Sequence, residues 1–447
     1  MRRLFSDIFV FCIPASMFLY VHLVGKIFIC ELVFLVCLVP LFAMTRARAL
    51  SERAHKTFVV LCLVWLVSQV VTDLYRGTTL HNCLRGWALI SMTIVNFSFL
   101  VMLIRDDMRR IRLFFLGLIC GQILMYYLHP IKLAIGTGTD EYWKFGLGFP
   151  VTFLGVFLCL HPAILKSKRR VATVFFTLGI LNMLLGFRSL GGVSFASGVF
   201  ILSRGGGMKL GRRSPWGRFM KLLCAGASAV LAFYSLSWVY NFSVHHALTT
   251  YNLVAKNRDE SGNHGLFDLL LGGRPEIYVS LHAIMASPII GHGSWASSEH
   301  YAEMLAAMRA YGFHVIVNHK RSLIPTHSYL FGAWVDAGIM GAVFWGWVFY
   351  MVCRCLLLLR REDHPLLPIA VLMNFAMLWN ILFSPYGFSE RLTVPFNMVM
   401  LFAIIRSAEV RSAVSIKSRR IVNGRTAWGV ECALRPLPGR HGQRANI

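Results

Sequence analysis

The chain has 447 residues, of which 56% are hydrophobic and 15% are charged, and its mean hydropathy is +0.61. A soluble domain cannot bury this much apolar surface, so the composition excludes an ordinary soluble protein and indicates one embedded in a lipid bilayer. In a soluble protein the formal net charge of +25 would suggest a nucleic-acid partner. In a membrane protein an excess of basic residues is expected in the cytoplasmic loops, so no nucleic-acid partner is expected.

Apolar runs of membrane length predict an all-α polytopic membrane protein with about twelve transmembrane helices. If the N-terminus is cytoplasmic, 32 of the 45 Lys and Arg fall in segments predicted to be cytoplasmic, and 13 fall on the other side. Cytoplasmic loops should carry this excess, so both termini are predicted to lie in the cytoplasm. The predicted spans lie near residues 8–24, 27–44, 57–72, 86–104, 112–128, 147–165, 171–187, 190–202, 220–240, 328–353, 366–386 and 392–405.

The spans divide the chain into unequal parts. Residues 1–240 hold spans one to nine, and residues 241–327 form a large extracytoplasmic loop before the tenth span. Residues 328–405 hold spans ten to twelve, and residues 406–447 form a basic cytoplasmic tail. The unequal halves and the absence of a visible internal repeat argue against a transporter, although the span count alone would permit one.

Two amphipathic helices are predicted in the large loop. The first begins at Pro275 and Glu276 and stops before Pro288, and the second is capped by Ser298 and ends at Gly312. Such helices are expected to lie against the membrane surface or the bundle and to roof a cavity, with an ordinary extracytoplasmic cap as the alternative. The apolar stripes are Ile277, Leu281, Ile284 and Met285 in the first helix, and Tyr301, Met304, Leu305 and Met308 in the second.

Two arginines on the predicted outer side could bind an anion. Arg188 lies in a turn between two spans that rise only about 24 Å each, so it is expected below the outer surface, where an unpaired Arg is costly. Arg274 immediately precedes the first amphipathic helix, where backbone N–H groups and a guanidinium suit a phosphate. The alternatives are that Arg188 extends outward to water and that Arg274 is an ordinary exposed residue.

The start of span ten carries the clearest pattern, in the sequence THSYLFGAWVDAGIMGAVFW. On a continuous helix His327 and Gly338 would share a face, and Gly341 would lie near it. The glycines would let a neighbouring helix approach closely, holding His327 at the mouth of the bundle as a general base. The alternative is interfacial packing of the His side chain. Asp336 would lie on the opposite face and is therefore not expected to orient His327.

The pattern of His327, Ser328, nine residues and then Gly338-x-x-Gly341 resembles the signature of the O-antigen ligase and O-antigen polymerase superfamily of bacterial envelope glycosyltransferases. The segment GRPEIYVSLHAIMASPIIGHGS is similar to the family's large-loop arginine motif and places that Arg on Arg274. FRSLGG resembles an upstream arginine motif and places it on Arg188, but Phe187 stands where the family usually has Ser. The similar region covers about residues 171–350, and Arg391 is a further pyrophosphate-binding candidate.

The resemblance implies an inverting, metal-independent transferase of the bacterial inner membrane with a periplasmic site and no cofactor. Its donor would be a glycan on undecaprenyl pyrophosphate, and its acceptor a saccharide such as lipid A core. His327 would act as the base, and Arg188, Arg274 and Arg391 would bind the pyrophosphate. An O-antigen or exopolysaccharide polymerase is the alternative within the family. Outside this superfamily, the alternatives are a transporter and a non-catalytic scaffold protein of the envelope.

Overall fold

A computed structural model describes residues 2–22, 25–45, 48–128, 142–204, 275–308 and 322–433. Helices dominate these ranges. Five are long and apolar enough to cross a membrane, namely Arg53–Arg76, Leu80–Ile104, Met108–Leu128, Ile339–Arg361 and the segment Glu390–Arg411. The chain is therefore a helical protein with several candidate membrane spans, as its hydropathy predicts.

The helices are numbered in chain order. The first nine are α1 Arg2–Ala15, α2 Ile29–Thr45, α3 Arg53–Arg76, α4 Leu80–Ile104, α5 Met108–Leu128, α6 Gly148–Leu158, α7 Pro162–Leu165, α8 Lys168–Leu184 and α9 Arg188–Ser203. The others that the structure describes are α10 Glu276–Ala286, α11 Glu299–Ala307, α12 Tyr329–Ala337, α13 Ile339–Arg361, α14 Leu367–Phe383 and α15 Glu390–Ala433. A 3-10 turn, Arg48–Ser51, precedes α3, and a π-helical turn, Trp143–Leu147, precedes α6.

Each predicted span within the described ranges is wholly or partly helical, and the span at 220–240 lies outside them. The count of twelve stays a prediction, because several of these helices are too short to cross hydrocarbon unaided. The first predicted span, 8–24, is wrong at its end. Its helix stops at Ala15, and the chain then forms an antiparallel hairpin of β1 Tyr20–His22 and β2 Lys26–Phe28.

The two ends of the bundle can be assigned from contacts between helix termini. The Arg204 guanidinium, just after α9, donates from Nε to the Leu359 carbonyl oxygen near the end of α13, at 2.5 Å. At the same end Arg406 of α15 pairs with Glu52, which precedes α3. At the other end Ser68 Oγ of α3 donates to the Ala337 carbonyl oxygen beside the start of α13, at 2.7 Å. The end of α3, the start of α13 and the start of α9 therefore share one side of the bundle.

Both helices predicted in the large loop are present as α10 and α11, with Ser298 at the N-cap of α11. The predicted apolar stripe of α10 is divided between two faces, because Ile284 is buried whereas Leu281 and Met285 are 41% and 65% exposed. The buried face combines Ile284 with Val279 and Ala283. The small Ala283 on this face lets α10 pack closely on α12, and the larger apolar residues face outward. The predicted end of α11 at Gly312 lies outside the described residues.

Candidate active site

His327 lies just before α12, and the neighbouring Ser328 fixes its position. Ser328 is buried and caps α12, because its Oγ accepts a hydrogen bond from the Phe331 N–H at 3.1 Å. The same hydroxyl donates to the Ile381 carbonyl oxygen at the end of α14, at 2.7 Å. The Ser that follows His in the motif therefore ties two helices together. The side chain of His327 stays 39% exposed beside this junction.

The nearest described carboxylate to His327 belongs to Glu276, the first residue of α10. Glu276 Oε1 lies 3.9 Å from His327 Nδ1. Glu276 Oε2 is buried and has no hydrogen-bond partner among the described residues. Ser280 Oγ lies 2.6 Å from the Glu276 carbonyl oxygen and 2.9 Å from that of Pro325, so it holds α10 against the segment before His327. A carboxylate beside an imidazole can fix its orientation and stabilise its protonated form.

Span ten is not one helix, which corrects the expected alignment of His327 with the two glycines. Gly338 has φ 71° and ψ −161° and separates α12 from α13. A Cβ at Gly338 would collide with the Ile289 carbonyl oxygen, so the group that approaches it is a loop and not a neighbouring helix. A Cβ at Gly341 would meet the Ala333 carbonyl oxygen of α12. The glycines thus permit a sharp break, with α13 beginning directly against the end of α12.

Residues 287–294, which follow α10, form a loop that completes this break; we call it the 287–294 loop. The His292 and Gly293 N–H groups donate to the carbonyl oxygens of Val335 and Asp336, at 2.7 and 3.0 Å. These carbonyls lie in the last turn of α12, where backbone carbonyl groups have no hydrogen-bond donor within the helix. Gly293 has φ 95°, a conformation that L side chains rarely adopt. The Gly-x-Gly sequence therefore satisfies the C-terminal end of α12, the helix that His327 precedes.

The loop is held to α3 and α4 through Asp73, which is 1% exposed. One carboxylate oxygen of Asp73 accepts from the Ser294 N–H at 2.6 Å, and the other accepts from the Ser294 hydroxyl at 2.7 Å. That second oxygen also accepts from Trp87 Nε1 of α4, at 2.8 Å. Arg76 adds a hydrogen bond from Nε to the Gly291 carbonyl oxygen, at 2.9 Å. A membrane-length helix therefore anchors the loop on which α10 and α12 meet.

Arg188 is the first residue of α9 and is half-buried. The turn before it is held by the Phe187 N–H, which donates to the Asn182 carbonyl oxygen at 2.7 Å. From the shared end at Arg204, the 16 residues of α9 rise about 24 Å, whereas the 23 residues of α13 rise about 35 Å. For near-parallel axes Arg188 therefore lies on the same side of the bundle as His327, below the level at which α13 begins.

The other two predicted anion-binding arginines differ from Arg188. Arg274 lies outside the described residues, and the chain is described again from Pro275, one residue before α10. Arg391 is 4% exposed, and its Nη2 donates to Glu31 at 2.9 Å and to the Lys26 carbonyl oxygen at 2.7 Å. This internal carboxylate gives Arg391 a structural partner, so the geometry lends no support to its predicted role in binding pyrophosphate.

Sequence reasoning missed Glu276 as a neighbour of His327, having treated it only as a helix start. The local signal was weak, since an acidic residue in a first helical turn is common. Within the described ranges no three His, Cys, Asp or Glu side chains are grouped so that they could hold a metal ion. Metal-independent transfer stays a prediction.

Comparisons of the sequence with known proteins add no family assignment. No protein-family model matches the chain, and no curated protein matches it.

Proposed function

We propose that this protein is a membrane glycosyltransferase of the O-antigen ligase-like kind. It would transfer a glycan from undecaprenyl pyrophosphate to a saccharide acceptor on the periplasmic face of the bacterial inner membrane. The observation that carries the proposal is the placement of His327 beside Glu276, at a helix start that Ser328 fixes between α12 and α14. The proposed topology has twelve spans, with both termini in the cytoplasm.

In the proposed reaction the acceptor hydroxyl attacks the anomeric carbon while the bond from that carbon to the pyrophosphate oxygen breaks. The bonding pair leaves with undecaprenyl pyrophosphate, and the hydroxyl proton goes to His327. Because Nδ1 faces Glu276, Nε2 is the nitrogen that would take this proton. A single displacement inverts the anomeric carbon.

The leaving pyrophosphate gains negative charge, which cationic side chains can stabilise. Arg188 is on the same side of the bundle as His327, and Arg274 lies two residues before Glu276, the first residue of α10. The N-terminus of α10 would add its partial positive charge. In this proposal Arg188 and Arg274 bind the pyrophosphate, whereas Arg391 does not.

The outward face of α10 supports a location at the membrane. Tyr278, Leu281 and Met285 are 40%, 41% and 65% exposed and recur at helical spacing along one side. An apolar side of this kind suits contact with acyl chains at the bilayer surface. The helix would then connect the bilayer, which holds the lipid-linked donor, with the base His327, which lies beside the first turn of α10.

Reconstitution tests the proposal. Purified protein in proteoliposomes is supplied with undecaprenyl-pyrophosphate-linked repeat units, with and without lipid A core. His327→Ala is expected to lower the transfer rate by at least about 100-fold, the usual contribution of a general base. His282→Ala is the matched control, because His282 is an exposed His of α10. Wild-type rates in His327→Ala would exclude the proposed mechanism.

The comparison with and without lipid A core distinguishes the ligase activity from the polymerase activity. Product formed only when lipid A core is present identifies a ligase, and lengthening of lipid-linked chains without core identifies a polymerase. Addition of a chelator should leave either activity unchanged. Loss of activity that a specific divalent ion restores would contradict stabilisation by arginine alone.

A further inference from the structure

At the end of α3 opposite the candidate site, the structure contains an open groove of about 400 Å³. Five of its lining residues recur at helical spacing and so share one side of α3. Ser51, just before the helix, completes the lining. The residues are Ser51, Arg53, Lys56, Thr57, Val60 and Leu61.

The polar part of the groove is basic. Arg53 and Lys56 are exposed, and among the described residues neither forms an ion pair. The carboxylate of the adjacent Glu52 already pairs with Arg406 and lies 3.8 Å from His55 Nδ1. Thr57 Oγ1 donates its hydrogen to the Arg53 carbonyl oxygen at 2.8 Å and keeps an oxygen lone pair. In the part of the chain that the structure describes, the groove therefore offers two cations to an anion, and the neighbouring carboxylate of Glu52 already has a partner.

Further along α3 the groove becomes apolar. Val60 is seven residues beyond Arg53, about 10 Å along the helix axis, and is 54% exposed. Leu61 lies beside it on the same side. A ligand that matches the whole groove therefore has an anionic head and an apolar tail, which is the chemistry of a phospholipid and not of a free phosphate.

We propose that this groove is a binding site for an anionic phospholipid, with the phosphate between Arg53 and Lys56 and an acyl chain along Val60 and Leu61. Because Asp73 and Arg76 at the other end of α3 hold the 287–294 loop, the lipid occupies the leaflet opposite the candidate active site. On the proposed topology this is the cytoplasmic leaflet. The site does not depend on the proposed transfer reaction.

Lipid binding to the purified full-length protein in neutral detergent tests the site. Phosphatidylglycerol is titrated against phosphatidylcholine and against inorganic phosphate, with bound lipid counted by native mass spectrometry. Wild-type protein is expected to bind phosphatidylglycerol in preference to phosphatidylcholine, and a large excess of inorganic phosphate should not displace it. Equal binding of the two lipids, or full displacement by phosphate, would overturn the proposal without any variant being needed.

Variants locate the site. Since each basic residue near an anionic surface is worth roughly fivefold in binding, Arg53→Gln with Lys56→Gln should weaken phosphatidylglycerol binding by roughly 25-fold. Lys166→Gln with Arg169→Gln is the control, because these exposed cations lie at the same end of the bundle and away from the groove. An equal loss in both pairs, or no loss in the first, contradicts a specific site.

Discussion

Asp73 and Ser294 are joined by two hydrogen bonds, from the Ser294 N–H at 2.6 Å and from its hydroxyl at 2.7 Å. This pair is one of several polar links between α3 and the 287–294 loop, together with hydrogen bonds from Gln69, Thr72 and Arg76. The loop in turn closes the end of α12, so Asp73 supports the geometry at His327 without touching it. Asp73 is thus a positioning residue in the proposed enzyme.

Asp73→Ala should destabilise the protein, because it leaves the Ser294 N–H, the Ser294 hydroxyl and Trp87 Nε1 without their buried acceptor. We expect a loss of about 3 kcal/mol or more, as is usual when a buried charged acceptor is removed. Thermal unfolding in detergent measures it. Glu303→Ala, at an exposed position of α11, should change the stability by less than about 0.5 kcal/mol. Similar unfolding temperatures for both variants would mean that the Asp73–Ser294 hydrogen bonds do not hold the loop in place.

Gly338→Ala should be strongly destabilising, because φ is 71° and the new methyl group would meet the Ile289 carbonyl oxygen. A residue forced into this backbone region costs about 1–3 kcal/mol before the collision is counted. Gly346→Ala is the control, since a Cβ there has no neighbour within 4 Å and a helical Ala is favoured over Gly by about 0.5–1 kcal/mol. Thermal unfolding of both variants is the measurement. Equal tolerance of the two substitutions would argue against the break in span ten.

Glu276→Gln should lower glycan transfer by roughly 10- to 1000-fold, because the neutral amide no longer stabilises the protonated imidazole or fixes its orientation. Glu303→Gln should leave the rate unchanged. Nuclear magnetic resonance of labelled histidine gives a readout that needs no substrate, since loss of the neighbouring carboxylate should change the chemical shifts of the His327 ring. If both the rate and the chemical shifts match those of wild type, Glu276 and His327 do not act as a pair.

The stability of the protein should fall on mild acidification because of His364, in the connection between α13 and α14. Burial, reinforced by the charges of Arg411 and Arg112, lowers the pKa of His364 from 6.5 to about 4. Between these values the unfolded chain binds more protons than the folded one. The contribution of neutral His364 is therefore complete above pH 6.5 and is lost as the pH falls through about 4.

His364→Asn checks this pH dependence. The Asn side chain retains an acceptor for the Leu366 N–H, which donates to His364 Nδ1 at 3.2 Å, but it does not titrate. Unfolding temperatures across the acidic range should fall less steeply in this variant than in wild type. His282→Asn, at an exposed position, should keep the wild-type slope. Parallel slopes for His364→Asn and wild type would show that another group governs the acid response.

Local signals in the sequence were sufficient for features that depend on neighbouring residues. Ser298 predicted the start of α11, and the short spans around Arg188 predicted a hairpin, which α8 and α9 form. Features that depend on distant contacts were missed. The partner of Arg391 is 360 residues away in sequence, and the conformation of Gly338 is set by the carbonyl of Ile289. Hydropathy and periodicity carry no information on such pairs.

The last prediction separates a structural role of Arg391 from a role in binding pyrophosphate. Arg391 and Glu31 form a buried ion pair, with Nη2 and Oε2 2.9 Å apart, and Glu31 also accepts from the Phe28 N–H. Arg391→Met alone leaves an uncompensated buried carboxylate, which should cost about 3–5 kcal/mol. Adding Glu31→Gln removes that charge while keeping an acceptor for Phe28, so the double variant should recover most of the stability.

Transfer activity of the double variant then decides between the two roles. If Arg391 only supports the fold, the double variant should transfer glycan at close to the wild-type rate once its unfolding temperature has recovered. If Arg391 binds the donor pyrophosphate, the double variant will be folded but inactive, since no cation remains at that position. Arg188→Met provides the comparison, because loss of a pyrophosphate ligand should abolish activity in protein that unfolding measurements show to be folded. We expect the double variant to be active and Arg188→Met to be inactive.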